Sequence, residues 1–374
     1  PTEIQDLASP RIAAGAHVLV SAPTGAGKTL TAFLWAIDQL VSGRWPSGRL
    51  SVLYVSPLRA LGNDIRRNLT DPLVELDRVF ADAGVTVPRI QVESRTGDTP
   101  QSARRRMLRS PPEILITTPE SLNILLTSQS GRRLLTGLRC VILDEIHAVA
   151  AGKRGIHLIT AVERLVRLSG EFQRIALSAT VRPLDRIAEW VGGSTIHGDP
   201  SNPDYRPRAV AVIESTTPKS IDIQVSLPSM ETETDRRQPD AFWASFGRQL
   251  RSLIAGNTST LIFGNARRSV EKIARFINEG APGHIAYSHH GALSREIRTV
   301  VEERLKAGSL KAIVATNSLE LGIDIGSIDE VAMVQPPPTV ASTLQRLGRS
   351  GHSVGETSRG RLDPLHPYGL LEAA

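Results

Sequence analysis

The segment Ala22-Pro23-Thr24-Gly25-Ala26-Gly27-Lys28-Thr29 joins an apolar run, His17 to Ser21, to an amphipathic stretch. A strand, a glycine-rich turn and a helix in that order form a phosphate cradle. Gly25 and Gly27 let backbone N–H groups close around anionic oxygens at a helix N-terminus, with Thr24 and Ala26 as the rest of the turn. Lys28 can reach the β and γ phosphates of a nucleotide, and the Thr29 hydroxyl can ligate Mg²⁺. The usual first glycine of such a loop is Ala22 here. A second constellation, Asp144-Glu145-Ile146-His147, follows the apolar run Cys140 to Leu143. Two carboxylates at that place can divide the work. Asp144 holds Mg²⁺, and Glu145 orients and deprotonates a water for attack on phosphorus.

Both constellations need an open α/β sheet, in which ligands bind outside the carboxyl ends of the strands. The chain supplies the pattern. His17 to Ser21, Ser51 to Val55, Glu113 to Thr117, Cys140 to Leu143 and Arg174 to Leu177 read as strands, alternating with segments such as Lys28 to Val41 and Ile156 to Leu168 that carry apolar residues at helical spacing. That alternation predicts parallel βαβ units with both sheet faces covered. Gly192 to Arg208, with Gly192-Gly193, Asp199-Pro200, Asn202-Pro203 and Arg206-Pro207, is turn-rich and marks a boundary. Pro228 to Pro239 reads as a polar surface loop. The alternation resumes at Thr258 to Phe263, His284 to Ala286, Lys311 to Ala315 and Glu330 to Val334. Two α/β domains follow, 1–205 and 206–374, each a mainly parallel sheet with helices on both faces.

Composition fits this plan. The 374 residues are 40% hydrophobic, enough for two cores, and the formal charge is +6. Lysine is confined to Lys28, Lys153, Lys219, Lys272, Lys306 and Lys311, so the basic excess is arginine, which suits a polyanionic partner. No apolar run reaches bilayer length, and the single Cys140 fits a reducing, cytoplasmic setting without an intrachain disulfide. His284, His289 and His290 lack a closing ligand at zinc spacing, and neither Ser21 nor Ser56 lies in a nucleophile elbow. Arg104-Arg105-Arg106 with Arg109 reads as a solvated helix face. The chain starts at Pro1 and stops soon after its last motif, which reads as a fragment of something longer.

Further motifs stand in a fixed order around these two: Pro1-Thr2-Glu3-Ile4-Gln5, Ser56-Pro57-Leu58-Arg59, Thr117-Thr118-Pro119-Glu120-Ser121, Ser178-Ala179-Thr180, Ala315-Thr316 with Gly322-Ile323-Asp324, and Gln345-Arg346-Leu347-Gly348-Arg349-Ser350-Gly351-His352. Together they resemble superfamily 2 helicases over essentially the whole chain. The DEIH box, the QRLGRSGH ending, the SHHGALSRE stretch and the run Ser318 to Asp324 look most like the large helicase-related (Lhr) family. The resemblance implies two tandem RecA-like domains and an ATP-dependent motor. Such a motor tracks single-stranded DNA from 3′ to 5′ and displaces DNA or RNA:DNA duplex, in a bacterial repair setting. Relatives place a winged helix and further domains after the motor, which acts as a monomer.

Carried over by position, Gln5 reads the adenine edge, Gly322 and Asp324 contact the ribose or orient the second domain, and Arg349 is the arginine finger on the γ-phosphate, contributing roughly 10³ to 10⁵ in rate. Arg346 serves either the nucleotide or a structural pairing in the second domain. His352 stands where many relatives have a second arginine. For the nucleic-acid track, backbone-gripping groups are expected: Arg59, Thr96, Gly97 and Thr118 in the first domain, and Arg267, His290 and Thr316 in the second. At 4% aromatic content, binding rests on phosphate contacts rather than base stacking. Three other readings remain open: a DEAD-box or DEAH-box RNA helicase, an ATP-gated nucleic-acid clamp that does not move, and a P-loop switch that ignores nucleic acid.

Overall fold

The computed structural model describes the chain except residues 24, 58, 180, 200, 218, 229–239, 321–325, 352–355 and 374; the side chains of 59–64, 66–68 and 295 are also outside it. The chain divides into two compact units, Pro1–Thr216 and Thr217–Ala374. In the first unit the strands are β1 (His17–Ser21), β2 (Val52–Val55), β3 (Val92–Arg95), β4 (Ile114–Thr117), β5 (Cys140–Leu143), β6 (Gln173–Ser178), β7 (Ser194–Asp199), β8 (Asn202–Pro207) and β9 (Val210–Glu214). Seven of these form one parallel sheet in the order β3-β4-β2-β5-β6-β1-β9.

The sheet is a two-sided core because its central strands carry near-continuous apolar runs, Val52–Val55 and Cys140–Leu143 throughout and Val18–Val20 and Ile175–Leu177 in their middles. Val18, Val52, Tyr54, Ile116, Ile142 and Ile175 pack on one face, and Leu19, Leu53, Val55, Leu115, Val141 and Ala176 pack on the other. Successive side chains of a strand point to opposite faces, so a continuous apolar run needs cover on both. The helix Lys28–Val41 contributes Ala32, Phe33, Ala36 and Leu40 to the first face, and Lys153–Ser169 contributes Leu158, Ala161, Val162 and Leu165 to the second.

The second unit holds β10 (Ile221–Val225), β11 (Thr260–Gly264), β12 (Ala286–His289), β13 (Ala312–Ala315), β14 (Glu330–Val334) and β15 (Ser358–Asp363), in a parallel sheet of order β10-β15-β14-β11-β13-β12. The helices Ala241–Ala255 and Arg267–Asn278 pack Phe246, Leu250, Ile254, Val270, Ile273 and Ile277 against it.

The turn-rich segment Gly192 to Arg208 is a β-hairpin, β7 paired antiparallel with β8. After it β9 returns to pair with β1, so the units divide at Thr216/Thr217, later than the 205/206 boundary read from turn residues. Prolines and glycines marked the hairpin's bends, and the apolar run that follows still belongs to the first sheet. The strand near His284 lies further on, at Ala286–His289. The polar loop expected at Pro228 to Pro239 falls almost wholly outside the described residues.

Candidate functional site

β5, β6 and β1 are neighbours, which brings three motifs from distant parts of the sequence to one sheet edge. Ser21 on β1 is level with Ser178 on β6, and Leu143 on β5 is level with Ala176. The Ala22 amide donates to the Ser178 carbonyl at 3.2 Å, fixing the start of the phosphate loop against the Ser-Ala-Thr segment.

Gly25 and Gly27 adopt φ of +85° and +83°, the left-handed region open to glycine, and Gly27 is the N-cap of the helix Lys28–Val41. A Cβ on Gly27 would lie 3.1 Å from Gln5 Nε2 and 3.3 Å from Thr2 Oγ1. Lys28 is buried and donates from Nζ to the Ala22 and Pro23 carbonyls at 2.7 and 2.8 Å, so its ammonium lies inside the loop curve. Thr29 stands in the first turn of the helix. Thr24 is outside the described residues.

Gln5 lies beside this loop through the first helix, Glu3–Ala13. Thr2 caps that helix: the Gln5 amide donates to Thr2 Oγ1, the Thr2 amide donates to Gln5 Oε1 at 2.9 Å, and Thr2 Oγ1 donates to the Ala26 carbonyl at 2.9 Å.

Asp144 is buried at the end of β5. Its Oδ1 accepts the Glu145 amide at 2.8 Å, and its Oδ2 accepts the hydroxyl of Tyr54 on β2. Burial, with the Glu145 charge beside it, pushes Asp144 up to about 7, against the lowering effects of the Tyr54 hydroxyl, the Glu145 amide and Lys28. Burial and the Asp144 carboxylate push the Tyr54 phenol well above its ordinary range. Glu145 has φ +47° and ψ +42°, a costly backbone state for a residue with a side chain. It leaves the Glu145 carboxylate 3.3 Å from His147 Nε2. His147 Nδ1 accepts the Ala179 amide at 3.1 Å. An Nδ1 that accepts leaves Nε2 as the protonated nitrogen of a neutral ring, facing the carboxylate. His147 thus ties the carboxylate pair to the Ser-Ala-Thr segment.

Among the described residues no group of three or more His, Cys, Asp or Glu could hold a metal by itself. Mg²⁺ carried by a nucleotide needs less, since phosphate oxygens and water fill most of its shell. One buried carboxylate, Asp144, whose raised protonation a cation would offset, and the Thr29 hydroxyl fit that donor set.

The other half of the same edge, β3-β4-β2, carries the first unit's nucleic-acid candidates. Thr96 is buried; its amide donates to Thr99 Oγ1 at 2.9 Å, and its hydroxyl accepts the Asp98 amide. Gly97 is exposed at the loop's crest, and Arg104 holds that loop from behind by donating to the Thr96, Gly97 and Thr99 carbonyls. Arg104 therefore shapes the turn, whereas Arg105 and Arg106 are solvated as expected, Arg106 pairing with Glu93. Thr118 is buried as an N-cap, accepting the Ser121 amide, so its hydroxyl is committed to its own helix. Arg59 begins the helix Arg59–Asp82, but its side chain is outside the described set.

In the second unit β11, β13 and β12 are adjacent, and Arg267, Thr316 and His290 follow their carboxyl ends. Arg267 is exposed. His290 is buried with both nitrogens engaged: Nε2 faces Glu271 at 2.6 Å and Nδ1 accepts the Ala292 amide at 3.3 Å. It builds the loop. Thr316 is nearly buried, and its hydroxyl donates to Ser318, which binds His289.

Arg346 is buried and donates to Glu320 at 3.0 Å and to Asn265 at 3.1 Å, with its guanidinium over Phe263. Of its two readings, the structural pairing is the one formed. Arg349 is 2% exposed. Gly322, Asp324 and His352 lie outside the described residues. Sequence reasoning missed Tyr54, Arg104 and the role of His147. A tyrosine within an apolar strand beside the DEIH strand was the available signal for the first.

The DEAD/DEAH box helicase family matches residues 2–187, and the helicase conserved C-terminal domain matches residues 247–353. The chain is 42% identical to the Lhr helicase/probable uracil glycosylase of Mycolicibacterium smegmatis, aligning over 100% of this chain and 26% of that protein. It is also 42% identical to the ATP-dependent helicase Lhr-Core protein 2 of Thermococcus barophilus, over 96% of this chain and 41% of that one. The structure of Mycobacterium smegmatis helicase Lhr bound to ssDNA and AMP-PNP superposes with a TM-score of 0.87 at 43% identity, covering 99% of this chain and 46% of that one. DEAD-box helicase Mss116, bound to ssRNA and UDP-BeF, shares the fold at 17% identity, with a TM-score of 0.77 over 96% of this chain and 69% of that one. The chain thus spans less than half the length of these Lhr relatives. Its two parallel-sheet units are RecA-like, and the chain belongs to the superfamily 2 DEAD/DEAH-box ATP-dependent helicases, most like their Lhr branch.

Proposed function

We propose that this chain is a motor that hydrolyses ATP to move on single-stranded DNA, 3′ to 5′, and to displace DNA or RNA:DNA duplex during DNA repair. One observation supports the reading: along a single sheet edge the loops after β5, β6 and β1, which hold the nucleotide motifs, and the loops after β3, β4 and β2, which hold the candidate strand contacts, follow one another without a break. The Lhr relative solved with ssDNA and AMP-PNP supports DNA as the strand and an adenine nucleotide as the fuel.

In this reading Gln5 pairs with the adenine edge, while the amides of Thr24 to Gly27 surround the phosphates. Lys28 turns its ammonium from the Ala22 and Pro23 carbonyls to the β and γ phosphates. Asp144 and Thr29 would hold Mg²⁺, which supplies charge neutralisation at the phosphates. Glu145 takes a proton from water as the water oxygen bonds to the γ-phosphorus and the bond to the β–γ bridging oxygen breaks, leaving ADP and phosphate. Arg349 adds positive charge to the γ-phosphate, Gly322 and Asp324 serve the ribose side, and His352 adds a hydrogen bond. Arg59, Thr96, Gly97, Arg267, His290 and Thr316 line the strand path, the buried ones through the loops they shape, and the Thr118 cap holds its loop beside them.

The test is ATPase turnover with matched DNA and RNA single strands, followed by displacement from 3′-tailed and 5′-tailed hybrids. Stimulation by DNA and displacement from 3′ tails are expected. Turnover indifferent to every polynucleotide overturns the reading.

A further inference from the structure

The first helix touches two places that matter to a motor, and they meet at Glu3. On one side Thr2 Oγ1 donates to the phosphate-loop carbonyl of Ala26, and Gln5 Nε2 lies beside Gly27. On the other side the Glu3 carboxylate accepts Ser215 Oγ at 2.7 Å on one oxygen, and the Thr216 amide at 3.1 Å and the Thr216 hydroxyl on the other. Ser215 and Thr216 are the last residues of the first unit, directly after β9, and the chain passes from Thr216 into the second unit. The contact spans more than two hundred residues of sequence, and the Ser215 amide also donates to the Ser21 carbonyl at the end of β1. Thr2, Glu3 and Gln5 are consecutive or nearly so in a capped first turn, so displacing one displaces all three.

We propose that Glu3 is a positioning residue that ties the nucleotide site to the chain's exit from the first unit. A nucleotide that engages Gln5 and the phosphate loop rigidifies the Thr2–Gln5 turn, and through Glu3 it fixes Ser215 and Thr216. The tether to the second unit is then held when the nucleotide is present and loosens when it leaves. Carboxylates accepting backbone and hydroxyl donors make the stronger kind of hydrogen bond, which suits a tether at a half-exposed site. The inference rests on the functional reading above, since it takes the ligand to be an adenine nucleotide.

Amide hydrogen exchange on the whole chain tests it, with and without AMP-PNP and Mg²⁺. Exchange at Ser215 and Thr216 is expected to slow several-fold on nucleotide addition in the native protein and to be unchanged by nucleotide in Glu3→Ala. The same variant should lower kcat at saturating single-stranded DNA about tenfold, with KM for ATP within twofold. The pair Ser215→Ala with Thr216→Val removes the two hydroxyl bonds to Glu3 without touching the helix, leaves the Thr216 amide bond, and should reproduce the larger part of both effects, while Glu3→Gln should recover part of them. Native exchange at Ser215 and Thr216 indifferent to nucleotide overturns the tether. So does a Glu3→Ala effect that the Ser215/Thr216 pair does not share. Native turnover that ignores polynucleotide would fail the functional reading instead, and the exchange measurement separates the two.

Discussion

Arg346 Nε lies 3.0 Å from a carboxylate oxygen of Glu320, with the Arg346 side chain buried and that of Glu320 only 12% exposed. Ser342 donates to the other Glu320 oxygen at 2.6 Å, and Arg346 also reaches Asn265. Removing one member of such a pair leaves an uncompensated charge in the interior. Arg346→Ala should therefore weaken the second unit by about 3–5 kcal/mol, read as an earlier unfolding transition in urea. An unchanged transition with lost ATPase would return Arg346 to the nucleotide.

Glu145 combines a catalytic assignment with a left-handed backbone, and the two can be separated. Glu145→Gln and Lys28→Ala should each lower turnover by about 10²–10⁴ while the fold persists. Glu145→Gly should lose turnover equally, yet hold or gain stability by up to about 1 kcal/mol, because glycine adopts that conformation without strain. Steady-state ATPase and urea denaturation on the same samples give both numbers. Normal turnover in Glu145→Gln would remove the carboxylate from the chemistry.

Asp363 ends β15 fully buried, with Arg361 on one oxygen, and burial pushes its pKa up to about 6 despite that partner. A carboxyl raised in the folded state favours folding while protonated, so its stabilisation is complete below the unfolded value of about 3.9 and is lost as pH rises through about 6. The stability difference between the native protein and Asp363→Asn should therefore change across about pH 4 to 6, with a slope approaching about 1.4 kcal/mol per pH unit. Taking the difference cancels groups common to both proteins. A flat difference would show that Asp363 is not perturbed.

Arg267 is exposed at the end of β11, next to the loops after β13 and β12. If it contacts one phosphate, Arg267→Ala should reduce the slope of log K against log salt for single-stranded DNA by about 0.7. Fluorescence anisotropy across a KCl series measures it, and an unchanged slope would take Arg267 off the track.

Much of this architecture was legible because chemistry and fold share a signal. An apolar run that ends in Gly-Lys-Thr or Asp-Glu names both a strand and what lies at its carboxyl end, and β1, β5 and β14 fall where their runs predict. β3 and β10, both edge strands, were not legible. Val-Glu-Ser-Arg and Ile-Asp-Ile-Gln-Val mix polar with apolar residues because an edge has only part of its surface to bury. β15 hid for another reason: its Arg361 and buried Asp363 neutralise each other, a pairing that hydrophobic periodicity does not record. In the site, residue type placed Lys28, Asp144 and Glu145. The commitment of Thr118 to a helix cap and of His290 to Glu271 depends on neighbours distant along the chain or on local backbone geometry.

Cys140 occupies β5, the strand that delivers Asp144, and burial lifts its thiol to about 12. Alkylating dyes need a thiolate they can reach, so at neutral pH the native chain is blank to them. Fluorophores placed on engineered sulfhydryls, such as Ile196→Cys on the exposed hairpin and Arg275→Cys in the second unit, would label cleanly without first removing the resident cysteine. Single-molecule energy transfer between those two dyes would then report whether adding an adenine nucleotide changes the distance between them.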